Sequence, residues 1–96
     1  MSNKVEVVGT TPDGVFVVTG VFKMFDTIGL PLDMIFDLCK ERNWVPSWKH
    51  FYDDARDNGW SHKTIQNRLL ANVEAVYGIE YAKHVIKVLQ EYSDIL

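Results

Sequence analysis

The sequence predicts an α+β fold that is mostly α: an N-terminal β-hairpin followed by an array of four to five helices, two of them joined by a tight glycine turn. Three observations predict it. Two runs rich in β-branched residues, 5–8 and 15–18, flank the turn signal Pro12-Asp13-Gly14. From Pro31 onward apolar residues recur at helical spacing. Within that stretch Ser and Gly stand where helices start and stop.

The hairpin is justified by its turn chemistry. Pro presets φ, Asp bonds its own backbone and Gly accepts positive φ. An isolated hairpin is marginal in water, so this one must pack on the helices or pair with another chain. Residues Val21, Phe22, Met24, Phe25 and Ile28 fit either an extension of the second strand or a short helix closed by Gly29, and the helix is preferred. Pro31 suits the first turn of the next helix, where its missing N–H costs nothing. Leu32, Ile35, Phe36, Leu38 and Cys39 form that helix's apolar face, opposite Asp33, Asp37, Lys40 and Glu41, and it should end near Asn43. Trp44-Val45-Pro46 reads as a connector.

Pro46 and Ser47 open another helix, with Trp48, Phe51, Tyr52 and Ala55 on one face and Asn58-Gly59 as its stop. Ser61 is a good N-cap for the following helix, whose inner face carries Ile65, Leu69, Leu70, Val73, Val76 and Tyr77. Gly78 ends it. The last helix begins near Ile79 and carries two stripes, Tyr81/Val85/Val88/Tyr92/Ile95 and Ala82/Ile86/Leu89/Leu96. One stripe can fill the core. The other, Tyr81 to Ile95, could seal a homodimer.

Composition narrows the class of function. A chain of 96 residues allows one domain, 1–96, with the hairpin in 1–20 and the helical part in 31–96. Three Trp, four Tyr and five Phe can supply much of its core. The single cysteine, Cys39, sits in an apolar run and reads as a small buried hydrophobe, which fits a reducing, cytoplasmic setting. No leader peptide or membrane span is expected, because Met1 to Lys4 is polar and the apolar runs are short. His50, His62 and His84 lack metal-ligand spacing, and Asp53/Asp54 and Asp33/Asp37 read as solvated helix faces. No phosphate loop or nucleophile elbow occurs, so neither cofactor, metal nor catalysis is expected.

The most informative segment is 55–69, with Ala55, Gly59, Trp60, Ser61, Thr64, Ile65 and Leu69. Ala55 allows close helix approach, Gly59 makes the sharp turn, Trp60 plugs the corner, Ser61 caps the second helix, and Ile65 and Leu69 pack it on the first. This pattern resembles the helix-turn-helix DNA-binding superfamily. The resemblance implies that the second helix enters the major groove of duplex DNA. Base contacts would come from His62, Lys63, Gln66 and Asn67, and phosphate contacts from Lys49, Arg56 and Arg68. The match departs from the family at Asp54 and Asn58, where hydrophobes are usual.

Charge tempers this expectation. The chain carries a formal net charge of −3. Across 46–72, Lys49, Arg56, Lys63 and Arg68 face Asp53, Asp54 and Asp57, a thin electrostatic footprint for DNA. The competing expectation is a non-enzymatic protein-binding module, such as a small inhibitor of phage or mobile-element type. It would act through an acidic and aromatic surface made of Trp48, Tyr52, Asp53, Asp54, Asp57 and Trp60.

Overall fold

The computed structural model describes residues 5–94. Strands β1 (Glu6–Thr10) and β2 (Phe16–Thr19) pair antiparallel. Between them the Gly14 N–H donates to the Thr11 carbonyl at 2.9 Å, and Gly14 takes a φ of +86°. That is the left-handed geometry the Pro-Asp-Gly signal demands. A bulge between Val7 and Gly9 shifts the register of β1, which is exposed along its whole length.

Residues 44–46 correct the sequence reading. They are not a connector but a third strand, β3 (Trp44–Pro46), parallel to β2 with Val17 opposite Val45. The sheet order is β1-β2-β3. Asn43 makes this pairing possible. It ends the preceding helix with a φ of 61°, and its carbonyl accepts from the Phe16 N–H at 3.0 Å. Its Nδ2 also donates to the Gly14 carbonyl at 3.0 Å. Pro46 ends β3, and the next residue, Ser47, resumes the ladder by donating its N–H to the Val18 carbonyl at 2.7 Å. The hairpin is thus stitched to the helical part.

Five helices follow or interrupt the sheet. The first, α1 (Val21–Ile28), takes the helical option for this ambiguous segment, and the Gly29 N–H caps it on the Phe25 carbonyl. Pro31 precedes α2 (Leu32–Glu41), which buries Leu32, Ile35, Phe36 and Cys39. Ser47 precedes α3 (Trp48–Asp57), which buries Trp48, Phe51, Tyr52 and Ala55. Helix α4 (His62–Tyr77) buries Ile65, Leu69 and Val73, and Gly78 separates it from α5 (Ile79–Asp94). One hydrophobic core runs from Val18 through these helices to Leu89. Its centre is aromatic: Phe22 stands edge-on to Phe51 at 5.3 Å, and Phe36 edge-on to Trp48 at 5.5 Å.

Residues of both α5 stripes pack within the chain. Val85, Ala82 and Leu89 are fully buried within the chain. Tyr81 and Tyr92 are half-buried, Tyr81 bonded to Trp48 and Tyr92 packed on Tyr52 at 5.6 Å. Val88 is half-buried too, and Ile95 and Leu96 lie outside the described residues. Helix α5 packs against both α3 and α4, and each stripe contributes residues to those contacts. Of the stripe that begins at Tyr81, Val85 is therefore a core residue and Tyr81 and Tyr92 are partly committed to the core.

Candidate nucleic-acid interface

The corner between α3 and α4 follows from local chemistry. The Gly59 N–H donates to the Arg56 carbonyl, and the Trp60 N–H reaches back to the Ala55 carbonyl, both at 3.0 Å. This paired closure is a Schellman motif, which needs a left-handed residue at its turn. Gly59 supplies it with a φ of +90°. The Ser61 hydroxyl then accepts from the Thr64 N–H at 3.1 Å and starts α4. Ala55, Ile65 and Leu69 are wholly buried.

Trp60 plugs the corner. It is half-buried, with its ring edge-on to Phe22 at 5.1 Å and Phe25 at 5.9 Å. The Arg68 guanidinium lies 4.8 Å over the same ring. Stacking holds the guanidinium plane while its edge N–H groups remain free to donate.

The structure divides the proposed base contacts. Lys63 and Asn67 are exposed, as is Thr64, which the motif reading gave only a structural place. His62 and Gln66 turn toward the body of the protein and are half-buried. The His62 Nδ1 pairs with the Tyr52 hydroxyl at 2.9 Å, and Tyr52 belongs to the core. His62 is therefore a strut between α3 and α4. The cause is rotational: Ile65 and Leu69 fix the inward face, and His62 and Gln66 fall beside it.

The phosphate candidates divide as well. Arg56 and Arg68 are exposed. Lys49 forms an ion pair with Asp53 at 2.9 Å, and that hydrogen bond and charge raise its pKa. The pair is cationic at one end and anionic at the other, so Lys49 adds no net positive charge. Asp57 is exposed and Asp54 half-buried.

The aromatic surface expected for a protein partner is not formed as the sequence suggested. Trp48 and Tyr52 are only 8% and 5% exposed. The Trp48 Nε1–H donates to the Tyr81 hydroxyl at 2.9 Å, inside the core. Trp60 is half-buried against Phe22 and Phe25. Aromatic residues spaced at i, i+3, i+4 on a helix are read by the core first, and here the core takes them.

Two features elsewhere were beyond sequence reading. An open groove of about 400 Å³ runs along α2 and the end of α4, with Asp33, Asp37 and Glu41 among its lining. Its second wall, Ala75 and Val76, comes from a helix distant in sequence. Tyr77 donates its hydroxyl to the Trp44 carbonyl at 3.1 Å, tying α4 to β3, and burial pushes its pKa up. Among the described residues no group of three or more His, Cys, Asp or Glu is placed to hold a metal ion. No helix among them is long and apolar enough to cross a membrane.

No family model and no solved structure matches this chain.

Proposed function

We propose that the α3–α4 corner docks on duplex DNA, with α4 presenting Thr64 and Asn67 to the groove, and Lys63, Arg56 and Arg68 reaching the phosphates. The reading rests on one observation: the Schellman closure at Gly59 and the Ser61 cap project the first two turns of α4, with these polar side chains outward. Lys is a phosphate or guanine ligand, Asn a bidentate partner for adenine, and Arg a phosphate fork. His62 and Gln66 support the corner from within.

The α2 groove carboxylates oppose this placement little, and the acidity that acts on it at close range is that of Asp53, Asp54 and Asp57 on α3. The groove carboxylates lie beside Val76, thirteen residues along α4 from Lys63, or roughly 20 Å at 1.5 Å per residue. That exceeds two screening lengths of about 8 Å at physiological salt.

Three cations, Lys63, Arg56 and Arg68, set a shallow salt dependence. With a slope of about −0.9 per phosphate contact, affinity should fall roughly 40-fold between 50 and 200 mM salt. Fluorescence anisotropy of a labelled duplex measures this. Lys63→Ala with Arg68→Ala should bring the slope to about −0.9. Absence of binding at low salt, or a slope indifferent to both substitutions, refutes the proposal.

A further inference from the structure

The groove along α2 is the strongest unexplained feature of the surface. Asp33, Asp37 and Glu41 stand at i, i+4 and i+8, all exposed, along about 12 Å of helix. Between them the groove is floored by Met34, Leu38 and Val76, and Met34 is 50% exposed. Like charges at this spacing destabilise a helix rather than support it. Asp33 has a local role, since its Oδ1 accepts from the Met34 N–H at 2.9 Å in the first turn. Asp37 and Glu41 have no such role, and Glu41 sits at the C-terminal end, where the helix dipole disfavours an anion. Among the described residues the ion pair present is Lys49–Asp53, so none of the three carboxylates has a cation partner. The nearby Lys40 directs its Nζ to the Val76 carbonyl at 3.0 Å instead.

From this geometry we infer that the α2 groove is a docking site for a cationic amphipathic helix of a partner protein. Lys or Arg residues at i, i+4 and i+8 on that helix match the carboxylate row in spacing and sign. Apolar side chains interleaved with them fill the floor, where Met34 offers an adaptable, polarizable surface. The row excludes anionic partners, so this site is separate in kind from the α4 tip and does not depend on DNA binding.

The test uses the whole protein and a labelled synthetic peptide, helical, with Lys at i, i+4 and i+8 and Leu between. A scrambled peptide of equal composition is the control. The designed peptide should bind at least tenfold more tightly than the scrambled one, and more weakly as salt rises. Asp37→Asn with Glu41→Gln, which leaves the surface polar and the fold undisturbed, should cost at least tenfold. Met34→Ser should weaken binding with less change in salt dependence. Equal binding of both peptides, or indifference to the Asp37 and Glu41 substitutions, overturns the inference. So does salt-sensitive self-association in place of peptide binding, which would assign the groove to a second copy, whose α5 exposes Lys83 and Lys87 one turn apart.

Discussion

Replacing Gly59 isolates the turn on which the α3–α4 corner depends. Gly59 has a φ of +90°, and a Cβ built there meets nothing within 4 Å. Gly59→Ala therefore adds no clash, and its cost is the left-handed backbone alone, about 1–2 kcal/mol for an L-residue. For a domain of this size each kcal/mol lowers Tm by about 4–8 °C. Gly59→Asn should lose less, because Asn tolerates this region. Gly9→Ala is the control, also with open space but without positive φ; it should change stability by less than about 1 kcal/mol, in the stabilising direction. Urea titration followed by circular dichroism reads all three, with an unchanged m-value marking a native-state effect. If Gly59→Ala is as well tolerated as Gly9→Ala, the Schellman closure does not hold the corner and the reasoning fails.

Other substitutions probe neighbouring parts of the account. Leu69→Ala, at a fully buried position on α4, should cost about 2–5 kcal/mol in urea unfolding; a loss below 1 kcal/mol would mean that α4 is not seated on the core. Tyr52→Phe removes the hydroxyl paired with His62 and should cost about 0.5–1.5 kcal/mol, with no loss remaining in a His62→Ala background. Burial pushes the Cys39 thiol up to about 11, against a smaller opposing pull from Arg42. The folded thiol keeps its proton where the unfolded chain, at 9.0, releases it, so this stability is complete below pH 9 and lost as pH rises toward about 11. Buried Tyr77 shifts in the same direction. The urea midpoint should fall across that window, and native protein should resist thiol reagents; a flat midpoint with rapid labelling contradicts both.

Much of the helical layout was legible because its signals are local. Gly29 and Gly78 act through their own backbone geometry, Ser61 through its hydroxyl cap on the Thr64 N–H, and Leu32, Ile35, Phe36 and Cys39 announce an inward face by spacing alone. Strand β3 was illegible for the opposite reason. Three residues ending in Pro carry no strand pattern, and their pairing with β2 depends on Asn43 returning the chain to the hairpin. The two stripes of α5 look like one core face and one free face, and spacing alone did not show that the core also takes Val85 and parts of Tyr81 and Tyr92 from the second. At the candidate site the corner itself was readable from Ala55, Gly59, Ser61, Ile65 and Leu69. The pairing that makes His62 a strut was not, because its partner Tyr52 lies on α3 and only the packed fold brings the two together. The apolar floor of the α2 groove likewise needed Val76, which sequence distance conceals.

The most direct test of the central proposal is a map of backbone amide shifts in the labelled protein as duplex DNA is added at low salt. The account expects the largest changes at Lys63, Thr64, Asn67 and Arg68, with smaller ones at Arg56 and none at Asp33, Asp37 or Glu41. Changes absent from the first two turns of α4, or centred on another face, would contradict it.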